Sequence, residues 1–135
     1  MAIYMKQKEL AEMMARSLKE LQNQVTESAL EVQKNIGPGF KSPDYCRALA
    51  HEFKLREIPF QENIDVDLQY KGDIAGKYQL DFVIDKKVIV SVLSTEEISE
   101  SDRSRQKKFL KALAIDLGVV VNFANERVEI KAVHG

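Results

Sequence analysis

From about Lys6 to Asn35 and on to the next residue, apolar side chains recur at steps of three and four: Leu10, Met14, Leu18, Leu21, Val25, Ala29, Val32 and Ile36. That spacing lines one side of an α-helix, and Gly37-Pro38-Gly39 stops it. The stretch reads equally as one kinked helix or as two, because Thr26-Glu27-Ser28 could cap a fresh start after Gln22-Asn23-Gln24. Ser42-Pro43-Asp44 then opens a second helix with a capping hydroxyl, an early proline and an acid at the positive end of the dipole. It runs to Arg56, with Tyr45, Leu49 and Phe53 inward and Pro59 beyond its end.

After Pro59 the period changes to two. Glu62 to Tyr70 alternates acid or amide with Ile64, Val66, Leu68 and Tyr70, a strand with one wet face carrying Asp65 and Asp67. Lys71-Gly72-Asp73 and Gly76 supply turn residues. Gln79 to Ser94 reads as a hairpin turning at Asp85-Lys86-Lys87, which pairs Ile84 with Val88, Asp81 with Ser91 and Gln79 with Leu93. One face then carries Leu80, Phe82, Ile84, Val88, Val90 and Val92, and the other Gln79, Asp81, Val83, Ile89, Ser91 and Leu93. A third helix is expected from a Ser101 cap to Leu117, with Phe109, Leu110, Leu113 and Leu117 inward and Gly118 as its stop. Val119 to Phe123 forms a short buried strand and Arg127 to Val133 an edge strand, with Ala124-Asn125-Glu126 turning between them. The order implies an α/β (α+β) sandwich around one mixed sheet flanked by helices.

Composition narrows the class without changing the layout. A chain of 135 residues, 44% hydrophobic and 30% charged, fits one globular domain spanning residues 1–135. The net charge of −1 gives no global attraction to nucleic acid or to an anionic membrane. The lone Cys46 rules out an intrachain disulfide and fits a reducing compartment, with the cytoplasm as the expected location. No apolar run has the length of a signal peptide core or a membrane span.

Candidate chemistry is sparse. Cys46 reads as a small buried hydrophobe, His51 as an ordinary helix residue, and Asp65 with Asp67 as a solvated strand edge. Met5, Met13 and Met14 give the first helix an adaptable apolar side. Plain core is one reading of it and a homo-oligomer contact the other. Arg103, Lys107 and Lys111 form an outward stripe on the third helix, joined by Arg105 and Lys108: a solvated face, or else a set of phosphate contacts.

Ala29-Leu30-Glu31-Val32, Ile36-Gly37-Pro38-Gly39-Phe40, the helix with Tyr45 and Ala48-Leu49, and Arg56-Glu57-Ile58-Pro59-Phe60 together resemble the GxxExxY family of the PD-(D/E)XK nuclease-like superfamily. The hairpin, Gln106 and Val121-Asn122-Phe123 extend the resemblance over about residues 25–133, leaving residues 1–24 as an added helical extension. The resemblance implies a restriction-endonuclease-like core. It also implies a helical glutamate, a hairpin aspartate and an acid-x-lysine, which bind magnesium and activate water against a phosphodiester. Asp81 matches the aspartate and is the one metal-ligand candidate. Gly-x-x-Glu-x-x-Tyr maps to Gly39, Ser42 and Tyr45, so serine replaces the glutamate, and acid-x-lysine maps to Ser91-Val92-Leu93, where both groups are missing. Glu31 and Gln106 remain as family-like helpers.

The expectation is therefore a catalytically degenerate nuclease fold acting as an interaction or structural module, with no cofactor and an unknown partner. Two alternatives stand beside it. One is an active magnesium-dependent nuclease with migrated groups, drawn from Glu31, Asp81, Glu96 or Glu97, and Lys107 or Lys108. The other is a non-catalytic nucleic-acid binder using Arg103, Lys107 and Lys111.

Overall fold

In the computed structural model of this chain the described residues are 6–135, the side chains of residues 8–17 excepted. The order is α1 (Gln7–Ile36), α2 (Ser42–Leu55), β1 (Phe60–Tyr70), β2 (Asp73–Ile84), β3 (Val88–Leu93), α3 (Glu100–Leu113), β4 (Leu117–Asn122) and β5 (Glu129–His134). The five strands form one mixed sheet in chain order, antiparallel except where β3 and β4 run parallel across the α3 crossover. No helix among the described residues is long and apolar enough to cross a membrane.

Two apolar layers cover the two faces of the sheet. Leu21, Val25, Ala29 and Val32 of α1 and Tyr45, Leu49 and Phe53 of α2 pack on Phe82, Ile84, Val88, Val90, Val119 and Val121. On the other face Leu110 of α3, with the half-buried Phe109 and Leu113, meets Val66, Leu80, Val83, Ile89, Val120 and Val133.

The first helix is unbroken: Thr26 and Ser28 donate their hydroxyls back to the carbonyls of Gln22 and Gln24 instead of capping a new start. The methionine face expected of Met5, Met13 and Met14 lies outside the described residues.

Several boundaries differ from those the sequence predicts. The second helix is capped from Lys41, whose N–H donates to the Asp44 carboxylate, so Ser42 is already helical. The third helix starts two residues early, because Ser99 and Asp102 hydrogen-bond each other's backbone N–H groups in a capping box. It ends at Leu113, four residues before the predicted Leu117, on Ala114 in the left-handed conformation at φ 53°. Leu117 is instead the first residue of β4 and Gly118 the second. Gly118 is small for a packing reason, since a Cβ there would stand 2.6 Å from Gln106 Nε2.

The β1–β2 hairpin is longer than its sequence suggests. Both turn residues, Lys71 and Gly72, have positive φ (47° and 88°), and Gly76 lies within β2. Pairing extends down to Tyr70 opposite Asp73, so these residues form a two-stranded ribbon on which Leu68 and Tyr70, predicted to be core, are exposed.

The faces also switch. Phe60 packs in the α1/α2 layer whereas Ile64 and Val66 pack in the α3 layer, although residues four apart on a regular strand share a face. On β2, Phe82 and Ile84 belong to the first layer and Leu80 to the second. Ladder pairs flank this point at Glu62 with Phe82 and Ile64 with Leu80, leaving Asn63 and Asp81 between them. Asn63 has φ 56°, a conformation that asparagine tolerates and that turns the strand over. Leu80 therefore does not share the face of Phe82 that strict alternation assigned to it.

Gly118→Ala should cost about 1–3 kcal/mol by overpacking, read from urea denaturation. Combined with Gln106→Ala it should cost less than the two single changes added together. Additive costs would show that the two side chains do not compete for space.

Candidate functional site

The register of the β2–β3 hairpin is the one the three-residue turn requires, but it lasts only three pairs: Ile84 with Val88, Val83 with Ile89 and Phe82 with Val90. Beyond Val90, β3 continues beside β4 to Leu93 opposite Asn122. The expected ladder pairs of Asp81 with Ser91 and of Gln79 with Leu93 are not formed. Where the two strands part, the Asp81 carboxylate bridges the gap, and its Oδ2 accepts the backbone N–H of Val92 at 2.8 Å.

Cys46 of α2 faces the same carboxylate and donates its thiol hydrogen toward it. Burial pushes the Asp81 carboxyl above its ordinary range, while the bonds from Val92 and Cys46 oppose that shift. The Cys46 thiol is pushed up to about 12, by burial first and then by the negative charge of Asp81, with Glu62 adding and Arg47 subtracting. It is therefore a protonated donor at neutral pH and a poor nucleophile. The sequence marked Cys46 as packing material; nothing in its spacing connects it to Asp81 until α2 packs on the sheet.

The other family positions lead elsewhere. Ser91 donates its hydroxyl to Gln106 Oε1 at 2.6 Å, and Gln106 Nε2 donates to the carbonyl of Ile89 at 3.1 Å. Leu93 packs in the apolar layer beneath α3. Ser42 is half-buried in the first turn of α2, where the Gly37–Phe40 loop is held by the Tyr45 hydroxyl. That hydroxyl donates to the Gly37 carbonyl at 2.7 Å and accepts the Phe40 N–H at 3.3 Å, while the Tyr45 ring stacks on Phe123. Glu31 accepts from Asn35 and lies in the field of Arg56, which pairs with Glu52 at 2.5 Å and Glu27 at 3.3 Å. Asp81, Ser91 and Glu31 thus bond to three different neighbourhoods.

A buried amide that sequence reading treated only as part of a motif has a larger structural role. Asn122 accepts from the N–H groups of Thr95 and Ala124 and donates to the Thr95 carbonyl and to Glu129 Oε1. Glu129 Oε1 also accepts the Ile98 N–H at 2.9 Å. The loop carrying Glu96 and Glu97 is fastened by its backbone, and both side chains are exposed. Of the basic stripe, Lys107 and Lys111 share a groove of about 620 Å³ with Asp116 and His134; Arg103 does not line it.

Magnesium asks for several hard oxygen ligands in near-octahedral array. The donors around Asp81 do not fit that demand: its partners are an amide and a thiol, and among the described residues no three His, Cys, Asp or Glu side chains converge.

A family profile for the PD-(D/E)XK nuclease superfamily matches residues 19–133. No curated protein matches the chain. Among solved structures, the crystal structure of SSO0001 superposes with a TM-score of 0.55 at 11% identity, covering 68% of this chain and 48% of that one. The chain spans about half the length of that protein, and the likeness is one of fold.

Two predictions come from the Asp81–Cys46 pair. Because folding raises the Asp81 pKa, its contribution to stability is fully present below the unfolded carboxyl value and is lost as pH rises through the native one. Asp81→Asn keeps an acceptor for Val92 without the buried charge. Its melting temperature should exceed the wild type's at pH 7, with the gap closing below about pH 4; a gap that widens in acid contradicts the sign. Alkylation of Cys46 by iodoacetamide at pH 8 should be at least about tenfold slower in the native chain than in urea. Asp81→Asn should speed it modestly, because charge is the second cause and burial the first.

Proposed function

The chain belongs to the PD-(D/E)XK nuclease superfamily, and from that premise we propose that it is a catalytically degenerate member working as an interaction or structural module. Within the superfamily we place it near the GxxExxY family, on the Ile36–Phe40 loop, Tyr45 and the Arg56–Phe60 segment.

The observation that carries this reading is the occupation of the equivalent positions by structural contacts. Asp81 holds the diverging edge of β3 through Val92, Ser91 tethers that strand to Gln106 of α3, and Leu93 fills the apolar layer. A phosphodiester-cleaving centre needs its carboxylates and its lysine turned toward one ion and one phosphate. Here those positions hold secondary-structure elements together. Of the family-like groups that remain, Asp81 and Gln106 have roles that a fold requires whether or not any reaction occurs.

Wild-type chain incubated with magnesium or manganese should cleave single- and double-stranded DNA and RNA no faster than Asp81→Ala. Isothermal titration should likewise detect no manganese uptake that the substitution removes. Metal-dependent cleavage abolished by Asp81→Ala would overturn the proposal.

A further inference from the structure

We propose that the groove between the β1–β2 ribbon and α3 is a docking site for an acidic segment of a partner protein, anchored by one apolar or aromatic side chain. The proposal deepens the interaction-module reading and rests on it for the premise that the chain works by binding.

Four large apolar residues are exposed on the ribbon: Leu68 at 37%, Tyr70 at 63%, Ile74 at 51% and Tyr78 at 43%. They fall within eleven consecutive residues, an unusual concentration of apolar surface for a solvated hairpin. Leu68 and Tyr78 continue into a cavity of about 380 Å³ whose other wall is Phe109 of α3. Tyr78 and Phe109 touch with ring centroids 5.6 Å apart, and the Tyr78 ring lies over Gly76, where a Cβ would stand 3.2 Å from Cε2. Such a floor suits one inserted apolar side chain; rigid aromatics supply contact area at low entropic cost.

The rim supplies charge. Arg105 and Lys108 line this cavity, and Lys108 and Lys111 line the adjoining groove beside Leu68. Among the described residues no ion pair is made by Lys107, Lys108 or Lys111, and Arg105 has only a long contact of 3.7 Å to Asp102. Cations beside an apolar pocket complement carboxylates that flank an apolar anchor. The positive tract is short, however. Glu100 lines the first cavity and Asp67 the second, so a long polyanion following α3 would meet a carboxylate at each. That charge distribution favours a short acidic peptide over a nucleic-acid strand.

Random-peptide phage display on the full chain should enrich sequences with Trp, Phe or Leu flanked by Asp or Glu. A fluorescein-labelled copy of the enriched peptide should bind about tenfold or more weakly to Tyr78→Ala and to Lys108→Glu, the loss typical of an interface anchor. Tyr78→Phe, which keeps the ring, should bind as wild type. Circular dichroism establishes folding of each variant, and Lys108→Glu, an exposed change, carries the test should Tyr78→Ala unfold. No enrichment, enrichment without acidic residues, or binding indifferent to folded Lys108→Glu would overturn the proposal. So would labelled oligothymidylate displacing the peptide and depending on Tyr78 and Lys108, which would make the groove a single-strand stacking site. Metal-dependent cleavage by the same preparations tests the degenerate-nuclease reading separately: cleavage alongside intact peptide binding would remove that reading and leave the groove's partner standing.

Discussion

The Val92 N–H is paired by a side-chain carboxylate where a neighbouring strand's carbonyl would ordinarily serve. A backbone donor left without a partner inside a sheet costs about 1–3 kcal/mol, and Asp81 offsets that cost by supplying an acceptor at the fork where β2 and β3 part. The fork in turn sets the rest of the sheet. It lets β2 run on with β1 as a ribbon while β3 runs on with β4, and it places the carboxylate against Cys46 of α2. The aspartate that the sequence resemblance marks as a metal-ligand candidate thus makes a backbone bond at the point where the two strands part.

That bond coincides with the change of face. Opposite the fork, Asn63 takes a positive φ, and below it both strands present their apolar residues to α3 instead of α1 and α2. The same twist carries Leu68 and Tyr78 over α3 and brings Phe109 into contact with Tyr78. The exposed ribbon is the far end of the deformation that Asp81 and Asn63 permit.

Elsewhere buried polar groups tie elements together in a similar way. Gln106 joins α3 to Ser91 and to the Ile89 carbonyl, and fits only because residue 118 has no side chain. Asn122 with Glu129 binds the β3–α3 loop to the end of β4, and Gln33 of α1 donates to the Asn125 and Glu126 carbonyls of the β4–β5 turn. Gln106 and Asn122 pair both amide atoms, as burial demands, whereas Gln33 pairs its nitrogen and leaves Oε1 without a protein partner; each joins residues distant in sequence. The reading of the site therefore turns less on which residues are present than on what each one is bonded to.

Much of this was legible in the sequence. Helical periodicity located α1 and α2, and period-two alternation with a lysine-rich turn set the three-pair register of β2 and β3; these are local properties, fixed by backbone geometry and the burial of nearby side chains. The residue types at Ser42, Ser91 and Leu93, which the sequence resemblance aligns with carboxylates and a lysine, were legible too, since a residue's identity needs no coordinates. What only the tertiary structure decided depends on contacts between distant segments. The β2–β3 ladder stops at Phe82, before Asp81, while β3 runs on beside β4, and a left-handed Asn63 reverses the faces. Gly118 stands within β4, pressed against Gln106, where the sequence suggested a helix stop. The partner of Asp81 was beyond reach for the same reason: a carboxylate's role is set by whatever the fold brings within 3 Å of it, and here that was an amide from the strand it had just left.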